Sequence, residues 1–329
     1  MNATRPATVA VIGAGTIGLG WITLFAAHGL DVVVNSRRPD AEQVVAAGLR
    51  AFATTLPGGA VDPGELSARL RFVPDVAEAV GEAGVVQENA PEDLDLKRDL
   101  YQVIGAAARP GALLLSSTST MLPDEYGAGL DTLERVVVGH PFNPPHVVPL
   151  VEVVGGTKTD PRAIEDAVGF YRSVGKVPIV LRKPVPRFVA NRLQSALLQE
   201  CIHLVQEGVV TMDELDGIVT HSIGLRWATV GPFQAFHLGG GEGGLRRWLT
   251  HLGRGLERSW QDLGHPKMTE NTIEYLSAEA ERIYGVGNYA ELAAERDLKQ
   301  NAVRDAIAQA ESCIKSRPNR LELDSSPNS

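Results

Sequence analysis

The segment Val9–Trp21, VAVIGAGTIGLGW, contains the glycine pattern G-x-G-x-x-G between an apolar, strand-length run and an apolar helical stretch. In this context the first glycine permits a tight turn, the second lets the backbone approach a pyrophosphate, and the third lets helix and strand pack closely. The N-terminus of the helix then offers N–H groups and partial positive charge to phosphates. The segment therefore predicts a dinucleotide site, although a glycine-rich turn without a ligand is the alternative. The predicted phosphate-binding residues are Gly13, Gly15, Thr16, Ile17 and Gly18.

The rest of the first half alternates short apolar runs with helical patterns, which indicates a largely parallel sheet with helices on both faces. Strands are predicted at 8–12, 31–35, 84–89, 112–117, 135–140, 150–156 and within 176–183, and a helix at about 160–174. The predicted fold class is α/β, a Rossmann-type doubly wound, mostly parallel sheet followed by an all-α C-terminal domain.

The hydrophobic pattern of the sequence changes after KPVPRF (183–188), where long helical patterns replace those of strands. Thr211 is predicted to cap a helix there, with Glu214 completing a capping box. The predicted domains are a dinucleotide-binding domain over 1–183, a helical domain over 184–315, and a polar, disordered tail over 316–329.

Composition excludes several classes of protein. The 329-residue chain has a net charge of −9, which argues against a general nucleic-acid binder. No apolar run reaches the roughly 20 residues of a membrane span, and no signal peptide is visible. With two cysteines, a cytoplasmic protein without a disulfide framework is expected. No metal site is predicted.

The end of the second predicted strand, VVVNSRRPD (32–40), lacks an expected acid. About twenty residues after the glycine turn, such folds usually place an Asp or Glu that binds the ribose hydroxyls of NAD. Here the position holds Asn35, followed by Ser36, Arg37 and Arg38. An amide removes the repulsion of a 2′-phosphate, and a hydroxyl and cations can bind it. We therefore expect NADP(H) to be favoured, with NAD(H) possible and two solvated arginines as the alternative.

A histidine and a glutamate lie on neighbouring predicted strands in VVVGHPFNPPHVVPLVEVVGG (136–156). His140 ends a strand, where ligand sites in open parallel sheets lie, and Glu152 is on the next strand. A carboxylate beside an imidazole fixes its tautomer and stabilises the charged ring, as acid–base catalysis requires. From spacing alone, a structural histidine and a surface glutamate remain possible.

Six stretches together resemble the 3-hydroxyacyl-CoA dehydrogenase family over nearly the whole chain. They are GAGTIG (13–18), ENAPEDLDLKR (88–98), SSTSTMLP (116–123), HPFNP with VEV (140–153), FVANRL (188–193) and GLRWATVGPF (224–233). The resemblance implies that His140 is the catalytic acid–base and Glu152 its partner, and that the protein forms a homodimer through its helical half. It further implies that Ser119 and Asn191 bind the reacting oxygen of the substrate, that Asn143 lies beside the nicotinamide, and that Glu92 and Lys97 line the cofactor.

Two features separate the chain from the acyl-CoA enzymes of that family. The stretch Arg37–Arg71 is short and contains no lysine, which argues against a CoA thioester, and the sequence resembles the branch of L-carnitine 3-dehydrogenase and L-gulonate 3-dehydrogenase (lambda-crystallin). These enzymes act on free 3-hydroxy acids. Arg226 is the candidate anchor for a substrate carboxylate, and Trp227 is predicted to form an apolar or cation–π wall. The other candidate pocket residues are His146, Phe233, Phe236 and His237.

The expected function is interconversion of a 3-oxo acid and a 3-hydroxy acid with a nicotinamide cofactor. The family that the sequence resembles also includes stereospecific ketoreductases of aromatic polyketide pathways, and because reduced NADP suits biosynthesis, such a ketoreductase is ranked first. An L-carnitine or L-gulonate 3-dehydrogenase, a 3-hydroxyacyl-CoA dehydrogenase and a non-enzymatic, crystallin-like structural protein are the alternatives.

Overall fold

An eight-stranded sheet organises the first part of the chain, in the computed structural model that describes residues 8–251 and 253–316. The strands are β1 (Thr8–Ile12), β2 (Asp31–Asn35), β3 (Leu70–Phe72), β4 (Val85–Glu88), β5 (Leu113–Ser116), β6 (Val136–Pro141), β7 (Leu150–Gly155) and β8 (Val177–Val180). Their order is β3-β2-β1-β4-β5-β6-β7-β8. All neighbours are parallel except β6 and β7, which are antiparallel. The first six positions match the strand order of a Rossmann fold.

Both faces of the sheet are covered, because alternate side chains of each strand point to opposite sides. Val9 and Val11 of β1 belong to one buried cluster, together with Trp21. Ala10 and Ile12 belong to a second cluster on the other face. This double coverage explains why β1 and β2 are almost continuously apolar.

Seven helices accompany the sheet. They are α1 (Thr16–Ala27), α2 (Ala41–Phe52), α3 (Pro63–Ser67), α4 (Val76–Gly81), α5 (Leu94–Ala107), α6 (Pro123–Tyr126) and α7 (Pro161–Ser173). Aspartate side chains cap four of them at the N-terminus: Asp62, Asp75, Asp93 and Asp160. These caps satisfy backbone N–H groups that have no partner within the helix.

The predicted strands and the doubly wound fold class are confirmed, but β3 was missed. Its three residues, Leu70–Phe72, form no apolar run, and none of them is fully buried. Their strand conformation depends on parallel pairing with Val32–Val34 of β2. A strand this short is defined by its neighbour, so sequence pattern alone could not reveal it.

The remaining described chain is helical and contains no strand up to Ser316. Its helices are α8 (Phe188–Gln206), α9 (Met212–His221), α10 (Ile223–Gly239), α11 (Gly244–His251), α12 (Leu256–Gln261), α13 (Glu270–Tyr284) and α14 (Tyr289–Lys315). Thr211 and Glu214 form the predicted capping box at α9. Among the described helices, none is long and apolar enough to cross a membrane.

The chain divides into two compact units that differ from the predicted domains at two places. The first unit runs to Phe188 and includes Leu292–Ala306 of α14, and the second comprises Val189–Glu291 and the chain from Ile307. The α14 segment belongs with the sheet unit because Asn301 Nδ2 donates to Thr55 O at 2.6 Å and Arg304 Nη1 donates to Val147 O at 2.7 Å. The predicted disordered tail lies, after Ser316, outside the described residues.

Candidate active site

The glycine turn between β1 and α1 leaves backbone open at one position and packed at two others. Gly13 has a φ of +97°, and a Cβ there would lie 2.8 Å from Asn89 O. A Cβ on Gly18 would lie 1.9 Å from Gly13 O, whereas a Cβ on Gly15 would meet nothing within 4 Å. No side chain caps α1, which begins at Thr16. The turn therefore fits a dinucleotide pyrophosphate, with Gly15 and the first turn of α1 facing it.

The carboxyl end of β2 holds Asn35 in a structural role that the sequence did not predict. Its side chain is buried, and Nδ2 donates to Val73 O at 2.9 Å and to Pro74 O at 2.8 Å. Ser36 is half-buried and Arg37 is exposed. Ser36 and Arg37 border a cavity of about 580 Å³. The structure thus places Ser36 and Arg37 together beside a cavity, and ties the amide of Asn35 to the neighbouring loop.

His140 and Glu152 form a buried pair. They lie directly opposite each other on the antiparallel strands β6 and β7, and His140 Nδ1 lies 2.9 Å from Glu152 Oε2. An ionised carboxylate only accepts hydrogen bonds, so it fixes the tautomer with the proton on Nδ1. The ring packs edge-on against Phe142, with centroids 4.7 Å apart, and near Phe188 at 5.4 Å. Nε2 is then the nitrogen that can exchange a proton with a substrate.

Lys176, which the sequence analysis did not single out, binds backbone carbonyls of the loop that joins these strands. Its buried ammonium donates to Pro145 O at 2.5 Å and to Val148 O, and lies 5.2 Å from the ring centroid of Trp21. Burial, and secondarily the charge of Arg304, lowers the pKa of Lys176 to about 7. The lysine follows the last turn of α7 and precedes an apolar strand, a place typical of a solvated side chain, so no local pattern marked it.

Glu92 organises the predicted substrate-binding residue Ser119. Its carboxylate accepts from the hydroxyl of Thr118 at 2.7 Å, from Ser119 N at 2.6 Å and from Ser119 Oγ at 3.1 Å. The Glu92 side chain is 39% exposed, so a ligand could reach it. The structure therefore brings Glu92 and Ser119 into one hydrogen-bonded group.

Lys97, a predicted cofactor residue, lies in a buried ion pair. Its side chain is 1% exposed, and Nζ lies 2.7 Å from Glu88 Oε1. Glu88 also accepts from Ser116 Oγ at 2.5 Å and from Ala90 N at 2.6 Å. A buried carboxylate needs such donors, because an unpaired buried charge is strongly destabilising. Lys97 therefore compensates the charge of Glu88, and its contact with the cofactor stays a prediction.

The remaining predicted site residues lie apart in the chain. Asn143 is exposed and precedes a cis bond to Pro144. Asn191 is half-buried on α8 in the second unit. Arg226 and Trp227 lie on α10 in that unit, both exposed. Their proximity to His140 stays a prediction.

Both additional candidate histidines have structural partners. His146 is buried, stacks on Phe52 with ring centroids 4.1 Å apart, and lies 3.2 Å from the hydroxyl of Thr55. His237 Nδ1 accepts from Leu245 N at 3.2 Å. In the same helix as His237, Phe233 is 78% exposed, whereas Phe236 packs against Trp248 with centroids 4.4 Å apart. His146 is thus enclosed by its partners, whereas a pocket-lining role of the exposed His237 stays a prediction.

Comparison with known proteins decides the family. The model of the 3-hydroxyacyl-CoA dehydrogenase NAD-binding domain matches residues 8–184, and that of the C-terminal domain matches 188–289. The chain belongs to the 3-hydroxyacyl-CoA dehydrogenase family. It is a nicotinamide-dependent 3-hydroxy acid dehydrogenase.

Relatives within this family are similar over almost their full length. An L-carnitine dehydrogenase of Pseudomonas aeruginosa is 43% identical over 93% of this chain and 95% of its own. One from Nocardiopsis dassonvillei is 42% identical over 92% of each chain. Among solved structures, 5-formyl-3-hydroxy-2-methylpyridine 4-carboxylic acid 5-dehydrogenase, an NAD⁺-dependent dismutase, is 30% identical with a TM-score of 0.71, covering 92% of this chain and 98% of its own.

Proposed function

We propose that this dehydrogenase interconverts a free 3-hydroxy acid and its 3-oxo acid, with L-carnitine and 3-dehydrocarnitine as the first pair to test. The observation that carries the proposal is the buried His140–Glu152 pair, 2.9 Å apart across β6 and β7. The similarity to L-carnitine dehydrogenases over 93% of the chain supports the substrate class. It favours this pair over the polyketide ketoreductase that the sequence analysis ranked first.

In the reducing direction His140 gives a proton from Nε2 to the oxygen on C3, and in the oxidising direction it takes that proton. Glu152 holds the ring and stabilises its positive form throughout. The glycine turn would hold the pyrophosphate of the dinucleotide, whose nicotinamide would supply or accept the hydride. Asn191 would donate a hydrogen bond to the developing alkoxide, a form of stabilisation that is often the largest part of catalysis. The single O–H of Ser119, which donates to Glu92 Oε1, would turn to the alkoxide when substrate binds.

The charges of a zwitterionic hydroxy acid call for two kinds of partner in the second unit. Arg226 is exposed on α10 and would bind the carboxylate. Trp227 follows it, with 40% of its surface exposed, and would face the quaternary ammonium through a cation–π contact. The short, lysine-free arm between β2 and β3 supports a free acid over a CoA thioester.

A second candidate rests on the cofactor. Asn35, Ser36 and Arg37 stand where an NAD-binding Rossmann fold usually has an acid. They support NADPH as the preferred cofactor and thereby reduction of a bulkier 3-oxo acid in biosynthesis. In this case the exposed aromatic residues of α10 would contact a flat substrate.

A panel of substrates separates these candidates. The purified protein is assayed in both directions with each cofactor on L-carnitine, 3-dehydrocarnitine, acetoacetate, acetoacetyl-CoA and aromatic 3-oxo acids. We expect the highest kcat/KM for the carnitine pair. Arg226→Ala should lose this activity, whereas Arg246→Ala, which removes an exposed arginine of α11, should keep it. Preference for an aromatic acid with NADPH would replace the first candidate by the second. Preference for acetoacetyl-CoA, or no turnover, would refute both.

We also propose a homodimer formed through the helical unit. An apolar groove of about 550 Å³ lies within that unit, with Leu197, Leu198, Ile202 and Met212 among its lining residues. Leu193 and Leu198 of α8 are more than half exposed, at 63% and 53%. Burial of such a surface supports association. Light scattering that finds only a 35.2 kDa species at micromolar concentration would refute the dimer.

A further inference from the structure

The amide of Asn35 explains why no acid stands at the end of β2. Its Nδ2 donates to two backbone carbonyls, Val73 O and Pro74 O, and the side chain is only 4% exposed. An aspartate in this orientation would direct carboxylate oxygens at two carbonyl oxygens and would leave both acceptors without donors. Such an arrangement is unfavourable in a buried position. The loop after β3 therefore selects an amide at this position.

The two arginines that follow are not equivalent. Arg38 makes a two-pronged ion pair with Asp40, with Nε–Oδ1 and Nη2–Oδ2 distances of 2.9 and 2.8 Å. Arg37 is exposed and takes part in none of the ion pairs between described residues. The charge of Arg38 is therefore largely compensated, whereas that of Arg37 is available to an anion.

The cavity beside these residues has room for an adenosine. It measures about 580 Å³ and lies between the end of β2 and the loop after β3. Ser36, Arg37 and the ion-paired Arg38 border it together with apolar groups of Val34, Phe72 and Pro74. One acid, Glu42 of α2, also borders it, so the local balance of charge depends on which arginine is free.

We propose that Ser36 and Arg37 bind the 2′-phosphate of an adenine dinucleotide, and that Asp40 withholds Arg38 from this site. The guanidinium of Arg37 can form a charge-assisted pair with a phosphate, and the Ser36 hydroxyl can donate to a phosphate oxygen. Asp40 limits the strength of the site, because it neutralises the second cation. The inference rests on the nicotinamide cofactor of the proposed function and is independent of the substrate.

Fragments of the cofactor test the site without turnover. Calorimetry on the full chain would measure the dissociation constants of 2′,5′-ADP and 5′-AMP, which differ by the 2′-phosphate. We expect 2′,5′-ADP to bind about tenfold more tightly, as one charge-assisted hydrogen bond can provide. Equal affinities in the wild type would overturn the proposal.

Three variants assign the effect to residues. Arg37→Ala should bring the ratio of the two constants close to one while the affinity for 5′-AMP stays the same. Arg109→Ala, which removes an exposed arginine before the amino end of β5, should keep the ratio. Asp40→Asn should raise it about threefold, as release of a surface ion pair allows. Asp40 makes no side-chain cap to α2, so this change removes no cap.

The outcomes separate the parts of the proposal. An Arg37→Ala variant that weakens both fragments equally would show a structural role and overturn the phosphate site. An unchanged ratio in Asp40→Asn would overturn the role of Asp40. Fragment discrimination in a protein that turns over no 3-oxo acid would support this site and refute the proposed function, so the two failures are distinguishable.

Discussion

Two histidine–carboxylate pairs lie near the loop between β6 and β7, and they differ in what surrounds the ring. His140 lies 2.9 Å from Glu152, directly across the strand pair. His146 lies 3.5 Å from Asp297, with its Nδ1 lacking a hydrogen-bond partner among the described residues. His140 keeps 5% of its surface exposed and His146 keeps 1%.

The environment of His146 favours a neutral ring. Burial lowers the pKa of His146 to about 4, although the charge of Asp297 opposes that shift. The stack on Phe52 contributes to this burial, because it excludes water from the ring. At neutral pH such a histidine is uncharged and acts as a packed aromatic side chain, not as an acid or a base. A histidine close to a carboxylate is thus suited to acid–base work only where the pair is short and a substrate can reach the other ring nitrogen.

The strongest test of this difference is removal of each histidine. His140→Gln should lower kcat by about 10²–10⁴-fold, because no group remains to transfer the proton. Cofactor affinity should be retained, since the glycine turn is untouched. Steady-state kinetics and a cofactor titration measure both effects.

His146→Gln is the matched control for that experiment, since it removes a buried histidine from the loop that follows β6. Its kcat should stay near the wild-type value. A His140→Gln protein with half the wild-type rate, or a His146→Gln protein as inactive as His140→Gln, would reverse the two roles.

Glu152→Gln should have the next largest effect, lowering kcat by about 10²-fold. A neutral amide no longer stabilises the positive ring that forms when His140 takes the proton. The dependence of rate on pH should change as well, because the charge of the partner is gone. A pH–rate profile that matches the wild type in shape and height would contradict the coupling.

Lys176→Met should lower kcat about tenfold and destabilise the protein by about 2 kcal/mol, because two buried carbonyls lose their donor. In the wild type the pKa of Lys176 is lowered to about 7. The unfolded chain binds this proton more tightly, so the residue makes the free energy of unfolding rise with pH between about 7 and 10.5. Chemical denaturation at several pH values should show that this rise is smaller in the variant. An equal rise in both proteins, with unchanged kcat, would exclude a role in holding the loop.

His146→Gln should have the smallest effect on kcat of these substitutions. Its effect should instead appear when the stability of the wild type and of the variant is compared at acidic pH. With a pKa of about 4 in the folded state, His146 is protonated more readily in the unfolded chain. Stability should therefore fall as pH drops from about 6.5 to 4, by at most about 1.4 kcal/mol for each pH unit from this group. Denaturation midpoints of the variant should fall less steeply, and parallel curves would contradict the buried, neutral state of His146.

Sequence reasoning succeeded where the causes are local. The glycine turn and the central strands follow from spacing and apolar runs, and the capping box at Thr211 follows from a three-residue interval. His140 and Glu152 were paired correctly in space because a strand, a short loop and a strand bring such positions together. The catalytic roles of these residues stay predictions.

Sequence reasoning did not reveal the partners of side chains that contact a distant part of the chain. Lys97 pairs with Glu88 in the interior, and Asn35 donates to the loop after β3, 38 and 39 residues away. The contact between Asn301 and Thr55 spans 246 residues. No periodicity or motif encodes such partners, so these residues were assigned to cofactor binding or left unassigned.

The sequence by itself determined the doubly wound fold and the place of the dinucleotide turn, because both depend on apolar runs and glycine spacing within short segments. It also determined the family, because six short motifs resemble those of its members. Only the tertiary structure decided which of the charged and polar groups are free to act. It compensates Lys97 with Glu88 and Arg38 with Asp40, encloses His146, and leaves Arg37 exposed. The physical reason is that the free charge of a side chain depends on its partners and on the water it keeps, and both are set by packing between segments far apart in the chain.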